Sequence, residues 1–191
     1  LPVLFERFPD AAVIGASIFH RGEPRPEARD DAEWRADFVG AGCAYRRDAF
    51  LATGGYVPLP TAYGMEEVDL SLRLHARGQR ILHSNWLRIE HDTDLSHHAS
   101  AEVTAASIAN IALLTCLRYP VSLWVVGLAQ GLNRIWWLVR HGRRQGVVRG
   151  IASIPQTVRA HWARRTPLPA RAVRSFLALR QGRHPAGPEP A

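Results

Sequence analysis

The chain shows two regimes of apolar and polar patterning. Before about residue 100, apolar runs are short and broken by Gly, Pro and charged clusters; from Ala101 they lengthen and take helical spacing. Ala11 to Phe19 reads as a buried strand, and His20 to Glu33, with Pro24 and Pro26, as a surface loop. Asp37 to Tyr45 reads as a strand interrupted by Gly40 and Gly42, a sign of a bulge or a close backbone approach to a ligand. A short helix from Arg46 to Thr53 stops at Gly54-Gly55, and a Pro-containing loop runs from Val57 to Tyr63.

The segment from Glu66 to Arg77 carries two opposed signals. Val68, Leu70, Leu72 and Leu74 alternate like a strand. Acids at Glu66, Glu67 and Asp69, cations at Arg73 and Arg77, and Gly78 just beyond are instead the marks of a helix with a complemented dipole. The ends predict a helix. Short strands follow at Arg80 to His83 and Trp86 to Glu90, then a polar loop from His91 to His98. Helices are expected from Ala101 to Leu117, from Pro120 (as the first helical residue) toward His141, from Arg149 to Ala163, and from Pro167 to Leu179. The pattern divides into residues 1–100, a helical region 101–180 and a Pro/Gly-rich tail 181–191 expected to be disordered.

Charge sharpens that division. The net charge is +7, no Asp or Glu occurs between Glu102 and Glu189, and every basic residue apart from His is Arg. Arg presents a rigid fork suited to phosphate; an all-Arg complement is equally read as codon bias. The first half, holding nearly all carboxylates, is the part suited to acid–base chemistry, and the second half the part that seeks anions. Cys43 and Cys116 fit no metal or redox spacing and read as buried thiols of a reducing compartment. The N-terminus carries neither an initiator Met nor a signal-peptide pattern, which leads us to expect a piece of a longer chain. Val121 to Leu132 is apolar but is interrupted by Gln130, Asn133 and Arg134 before reaching spanning length. Trp124, Trp136, Trp137 and nearby Arg suit either a helix at a lipid headgroup interface or plain internal packing.

Taken alone, the acids of Glu66, Glu67 and Asp69 are a capped helix start on a solvated face. Their order relative to other motifs changes that reading. Gly40-Ala41-Gly42, Arg46-Arg47, Gly54-Gly55-Tyr56, Gly64-Met65-Glu66-Glu67-Val68-Asp69-Leu70-Ser71-Leu72-Arg73, Gly78 and His91 follow one another in that order. This ordered set resembles the second half of the catalytic domain of family 2, GT-A fold glycosyltransferases. It covers roughly a third of the chain.

The resemblance implies an α/β fold, a partial GT-A-like mixed sheet followed by a basic, mostly helical C-terminal region, with a sheet edge exposed where the first half is absent. It implies an inverting transfer from a nucleotide-sugar to a cell-envelope polysaccharide or glycolipid acceptor. A carboxylate takes the proton of the attacking hydroxyl. The family's base, an Asp, falls on Glu67, one methylene longer, and Glu66 is the alternative base. Gly40, Ala41, Gly42, Trp34, Tyr63, Asp69 and Arg73 are expected on the acceptor side, with Asp69 and Arg73 also spaced to pair along one helix face. His91 matches the family's metal-ligating His, so the resemblance implies Mg or Mn in the complete enzyme. Asp92, Asp94, His97 and His98 read as a polar loop or a separate metal cluster of no standard zinc spacing.

The family's metal- and diphosphate-binding Asp-x-Asp does not precede these motifs; Asp92-Thr93-Asp94 comes after them. The chain by itself is therefore expected to be inactive unless complemented, and to sit in the cytoplasm or at the inner face of the cytoplasmic membrane. Two other readings remain: a non-catalytic basic module binding membrane or nucleic acid, with nucleic acid the less supported for want of any recognised motif, and a membrane-associated structural protein that has lost activity.

Overall fold

The computed structural model describes residues 1–61, 63, 65–92 and 100–182. It is a mixed α/β structure with two compact units, residues 1–56, 70–93 and 171–191 forming one and residues 57–69 and 94–170 the other. The expected tail falls almost wholly outside the described residues, as do Gly64, Asp94, His97 and His98.

The first unit is built on a four-stranded mixed sheet of order β2-β4-β1-β3. Strand β1 (Ala11–His20) pairs in parallel with β4 (Arg80–His91) and antiparallel with β3 (Cys43–Tyr45), while β2 (Ala32–Arg35) pairs antiparallel with β4. Residues 11–16 of β1 are all buried, as an unbroken apolar run in a central strand requires. A register shift between Ala11 and Val13 breaks strict alternation. Ala12 and Val13 thus join the cluster of Phe38, Ala49, Leu70, Leu74 and Ile81, while Ala11 and Ile14 pack with Phe8 and Leu82. Helix α1 (Pro2–Arg7) supplies Leu4 and Phe5 to the second cluster, and α2 (Arg47–Ala52) supplies Ala49 to the first. The sheet edges are the short strands β2 and β3, and β2 turns Glu33 and Arg35 to solvent, which blunts edge pairing.

Several expectations about this unit need correction. β2 lies partly in the segment read as loop; its signal was the alternation of inward Ala32 and Trp34 with outward Glu33 and Arg35. Gly40–Gly42 forms a 3-10 turn, and only Cys43–Tyr45 is strand. The two strands expected at 80–83 and 86–90 are one, β4. Its register jumps from Ser84 opposite Ala16 to Arg88 opposite Ser17, so residues 85–87 bulge out of the ladder. Asn85 fixes that bulge: its backbone N–H bonds to Asp31 O, its carbonyl accepts from Arg29 N–H, and its side chain meets Ser17 Oγ.

Helix α3 (Glu66–Ala76) forms where the end signals predict it. Residues 69–74 are all buried, so Leu70, Leu72 and Leu74 alternate because the helix is enclosed on every side.

The second unit is helical: α4 (Ala101–Arg118), α5 (Trp124–Arg140) and α6 (Val147–His161), with α7 (Ala170–Arg180) starting at its boundary and continuing in the first unit. Ser100 caps α4 by accepting from Val103 N–H. Pro120 precedes a 3-10 turn at Val121–Leu123, so the next α-helix starts four residues later than expected. Both α5 and α6 approach α4 closely at glycines. A Cβ on Gly127 would lie 2.2 Å from Thr115 Cγ2, and one on Gly150 would lie 2.8 Å from Ala105 O. Among the described residues α4 alone is long and apolar enough to cross a membrane, and 67 % of it is buried, as in a core helix.

Candidate functional site

The candidate residues divide between the units. Glu66, Glu67, Tyr63 and Asp69 belong to the second; Trp34, Gly40, Ala41, Gly42, Arg73 and His91 belong to the first.

In the second unit the loop before α3 is tied down at its carbonyls. Asn110 Nδ2 donates to Thr61 O at 3.0 Å, Thr61 Oγ1 donates to Glu102 Oε1 at 3.1 Å, and His161 Nε2 meets Pro58 O at 3.1 Å. The first turn of α3 carries three acids, Glu66, Glu67 and Asp69. They have different environments. Asp69 is fully buried and forms an ion pair with Arg118, Nε to Oδ1 at 2.5 Å and Nη2 to Oδ2 at 3.4 Å. Arg118 Nη1 also donates to Arg164 O. Glu66 and Glu67 are half-buried, and Glu66 Oε2 is enclosed without a hydrogen-bond partner among the described residues. An enclosed carboxylate oxygen without a donor is costly and marks a place for a ligand group or water. Tyr63 is half-buried and within electrostatic reach of Arg134, whose pKa burial lowers, Arg143 lowers further and Tyr63 partly restores.

In the first unit, Arg73 is 8 % exposed and donates to Thr53 O at 2.6 Å and Gly55 O at 2.7 Å. Gly54 and Gly55 take left-handed φ values of +81° and +72°, which turn those carbonyls toward the guanidinium. Asp69 and Arg73, spaced to pair along one helix face, each have a further partner: Arg118 for Asp69 and the Thr53 and Gly55 carbonyls for Arg73. Two pieces of the sequence motif, Gly54-Gly55 and Arg73, do come together. Arg46 is likewise structural, donating from Nε to Ala11 O and from Nη2 to Phe5 O.

Trp34 packs edge-on against Phe8 at 6.1 Å and lies under the Arg80 guanidinium at 3.7 Å, partly buried against the core of this unit. Gly40 and Ala41 are exposed. Gly42 is close to its own sheet: a Cβ there would lie 2.6 Å from Ile18 Cδ1 and 3.0 Å from Ile89 Cγ1. Its small size is explained by strand packing without a ligand. Both cysteines are half-buried thiols; Cys43 Sγ donates to Tyr45 Oη at 2.9 Å, and burial pushes the Cys116 thiol up.

His91 ends β4 beside His20, which ends β1, with ring centroids 5.5 Å apart. Sequence reasoning missed His20, because only the parallel pairing of the two strands makes them neighbours. Among the described residues no group of three His, Cys, Asp or Glu side chains gathers to hold a metal.

No family model, no curated protein and no solved structure matches the chain. The glycosyltransferase resemblance therefore stands on the order and chemistry of the motifs alone.

Proposed function

We propose that the chain is the acceptor-side part of an inverting, GT-A-type nucleotide-sugar glycosyltransferase acting on a cell-envelope polysaccharide or glycolipid. The observation that carries this reading is the pair of adjacent, half-buried carboxylates, Glu66 and Glu67, in the first turn of α3, whose third acid, Asp69, is buried in an ion pair with Arg118. One of the two accepts the proton of the acceptor hydroxyl as that oxygen attacks the anomeric carbon. The bond to the nucleoside diphosphate breaks, and the sugar's configuration inverts. Asp69 and Arg73 act as positioning residues that hold α3 and the Gly54-Gly55 turn. No three described His, Cys, Asp or Glu side chains gather to hold the implied metal, so no step is routed through one.

Glu67→Gln and Glu66→Gln, measured in the protein encoded by the complete reading frame, test this reading. Loss of the general base lowers kcat about 10²–10⁴-fold, in one variant and with stability retained. Full turnover in both variants would contradict it.

The alternative, a non-catalytic basic module binding nucleic acid or membrane, draws on the Arg-rich second half. Several of those arginines are engaged internally: Arg118 with Asp69, Arg165 with Cys116 O, Arg143 with Thr104 and Arg134 with Ser107. That leaves fewer guanidinium groups for a polyanion than the sequence suggests, and weakens the nucleic-acid version.

A further inference from the structure

The outward face of α5 is apolar, the reverse of what a surface helix in water carries. Val121, in the turn before it, and Val125, Leu128, Leu132, Trp136 and Val139 are all 38–69 % exposed. Their spacing of four, three, four, four and three residues puts them on one side of the helix. Buried Gly127 and Leu138 lie on the opposite side, and Gly127 rests on Thr115 of α4. The stripe runs the whole helix, about 25 Å at 1.5 Å per residue. Scattered exposed apolar side chains are ordinary, but a continuous stripe of this length marks an interaction surface.

We infer that this stripe docks on the surface of an anionic phospholipid bilayer, with α5 lying in the plane of the headgroups. Charge decides the occupant. Arg140 sits at the stripe's edge with its guanidinium 5.2 Å from the Trp136 ring. Arg144 and Arg149 are exposed just beyond, beside exposed Val148 and Ile151. No carboxylate lies between residues 102 and 189 to balance them. A second copy packed stripe to stripe would add more arginines and no acids, whereas an anionic bilayer offers hydrocarbon to the stripe and phosphate to the Arg rim. The other two tryptophans of α5 lie off the stripe: Trp124 is half-buried beneath Arg165, and Trp137 stacks on His141. α5 has 17 residues, short of the roughly 20 apolar ones a span needs, and its Gln130 and Arg134 make hydrogen bonds with Tyr119 and Ser107 within the unit. This inference is independent of the transfer chemistry, because no stripe residue is among the proposed catalytic groups.

Co-sedimentation with vesicles of phosphatidylcholine alone, or with about a third phosphatidylglycerol, tests it. The protein is expected to bind the anionic vesicles at least about tenfold more tightly, with salt weakening the preference. Leu132→Asp and, separately, Trp136→Ser should each cut that binding about tenfold with unchanged far-ultraviolet circular dichroism, and Arg140→Glu should remove most of the anionic preference. Absence of binding to anionic vesicles overturns the inference, as does binding that both stripe variants leave intact. Self-association abolished by Leu132→Asp in a protein that ignores vesicles would also overturn it and assign the stripe to a second copy.

Discussion

Asp69 and Arg118 form a buried ion pair, Nε to Oδ1 at 2.5 Å, between the first turn of α3 and the last turn of α4. Forty-nine residues separate them in sequence. Removing one partner takes from the other the counter-charge it holds in the interior. Asp69→Asn and Arg118→Met are each expected to lower unfolding stability by about 3–5 kcal/mol, and the double variant by less than either. Urea unfolding of the three variants checks this. Single variants within about 0.5 kcal/mol of the parent would show that the pair does not stabilise the second unit.

Arg73 holds the Gly54-Gly55 turn through two carbonyls, and a Lys ammonium does not reproduce that planar fork. Arg73→Lys should cost about 1.5–3 kcal/mol, the range for a hydrogen bond from a charged donor. The same unfolding assay reads it. A fully stable Arg73→Lys protein would show that the two bonds are not needed.

At Gly150 two effects oppose each other. Gly→Ala inside a helix normally gains up to about 1 kcal/mol. Here the new Cβ would meet the Ala105 carbonyl oxygen at 2.8 Å, an atom of backbone that cannot swing aside. Gly150→Ala should therefore destabilise, by about 1–3 kcal/mol, seen as a lower Tm. A raised Tm would mean that α4 and α6 are less tightly apposed.

His75 is half-buried against Phe176, and burial holds its pKa below the ordinary 6.5. As pH falls through that ordinary value, the unfolded chain takes up a proton before the folded one does. The stability contributed is therefore complete above the ordinary value and declines below it, until pH reaches the lowered folded value. Urea midpoints at about pH 7.5 and about pH 5.5 should differ more for the parent than for His75→Gln. Equal differences would remove His75 as the cause.

The elements legible in the sequence were those marked at their ends or by long periodicity. Helix α3 was readable from its acids, its arginines and Gly78, against an alternation that reflects burial on all sides. α4 was readable from its length. What was not legible depends on distant partners. β2 is only four residues, and it exists because β4 pairs with it. β4 read as two strands because its bulge interrupts the apolar pattern at Asn85. Of the candidate site, the carboxylates at Glu66 and Glu67 were readable as a pair, but nothing local tells that Asp69 turns to Arg118 or that Arg73 turns to the Thr53 and Gly55 carbonyls. Trp34 had the composition of a binding residue, and its burial against Phe8 and Arg80 required the fold.

The central claim is that Glu66 and Glu67 serve an inverting glycosyl transfer. Its most direct test is turnover of radiolabelled nucleotide-sugars by the protein of the complete reading frame, with envelope glycans and glycolipids as acceptors and product configuration read by nuclear magnetic resonance. The account predicts transfer from at least one donor, an anomeric configuration opposite to that of the donor, and loss of turnover in one of the Glu→Gln variants. A folded protein that turns over no donor, or a product that retains the donor's configuration, would contradict it.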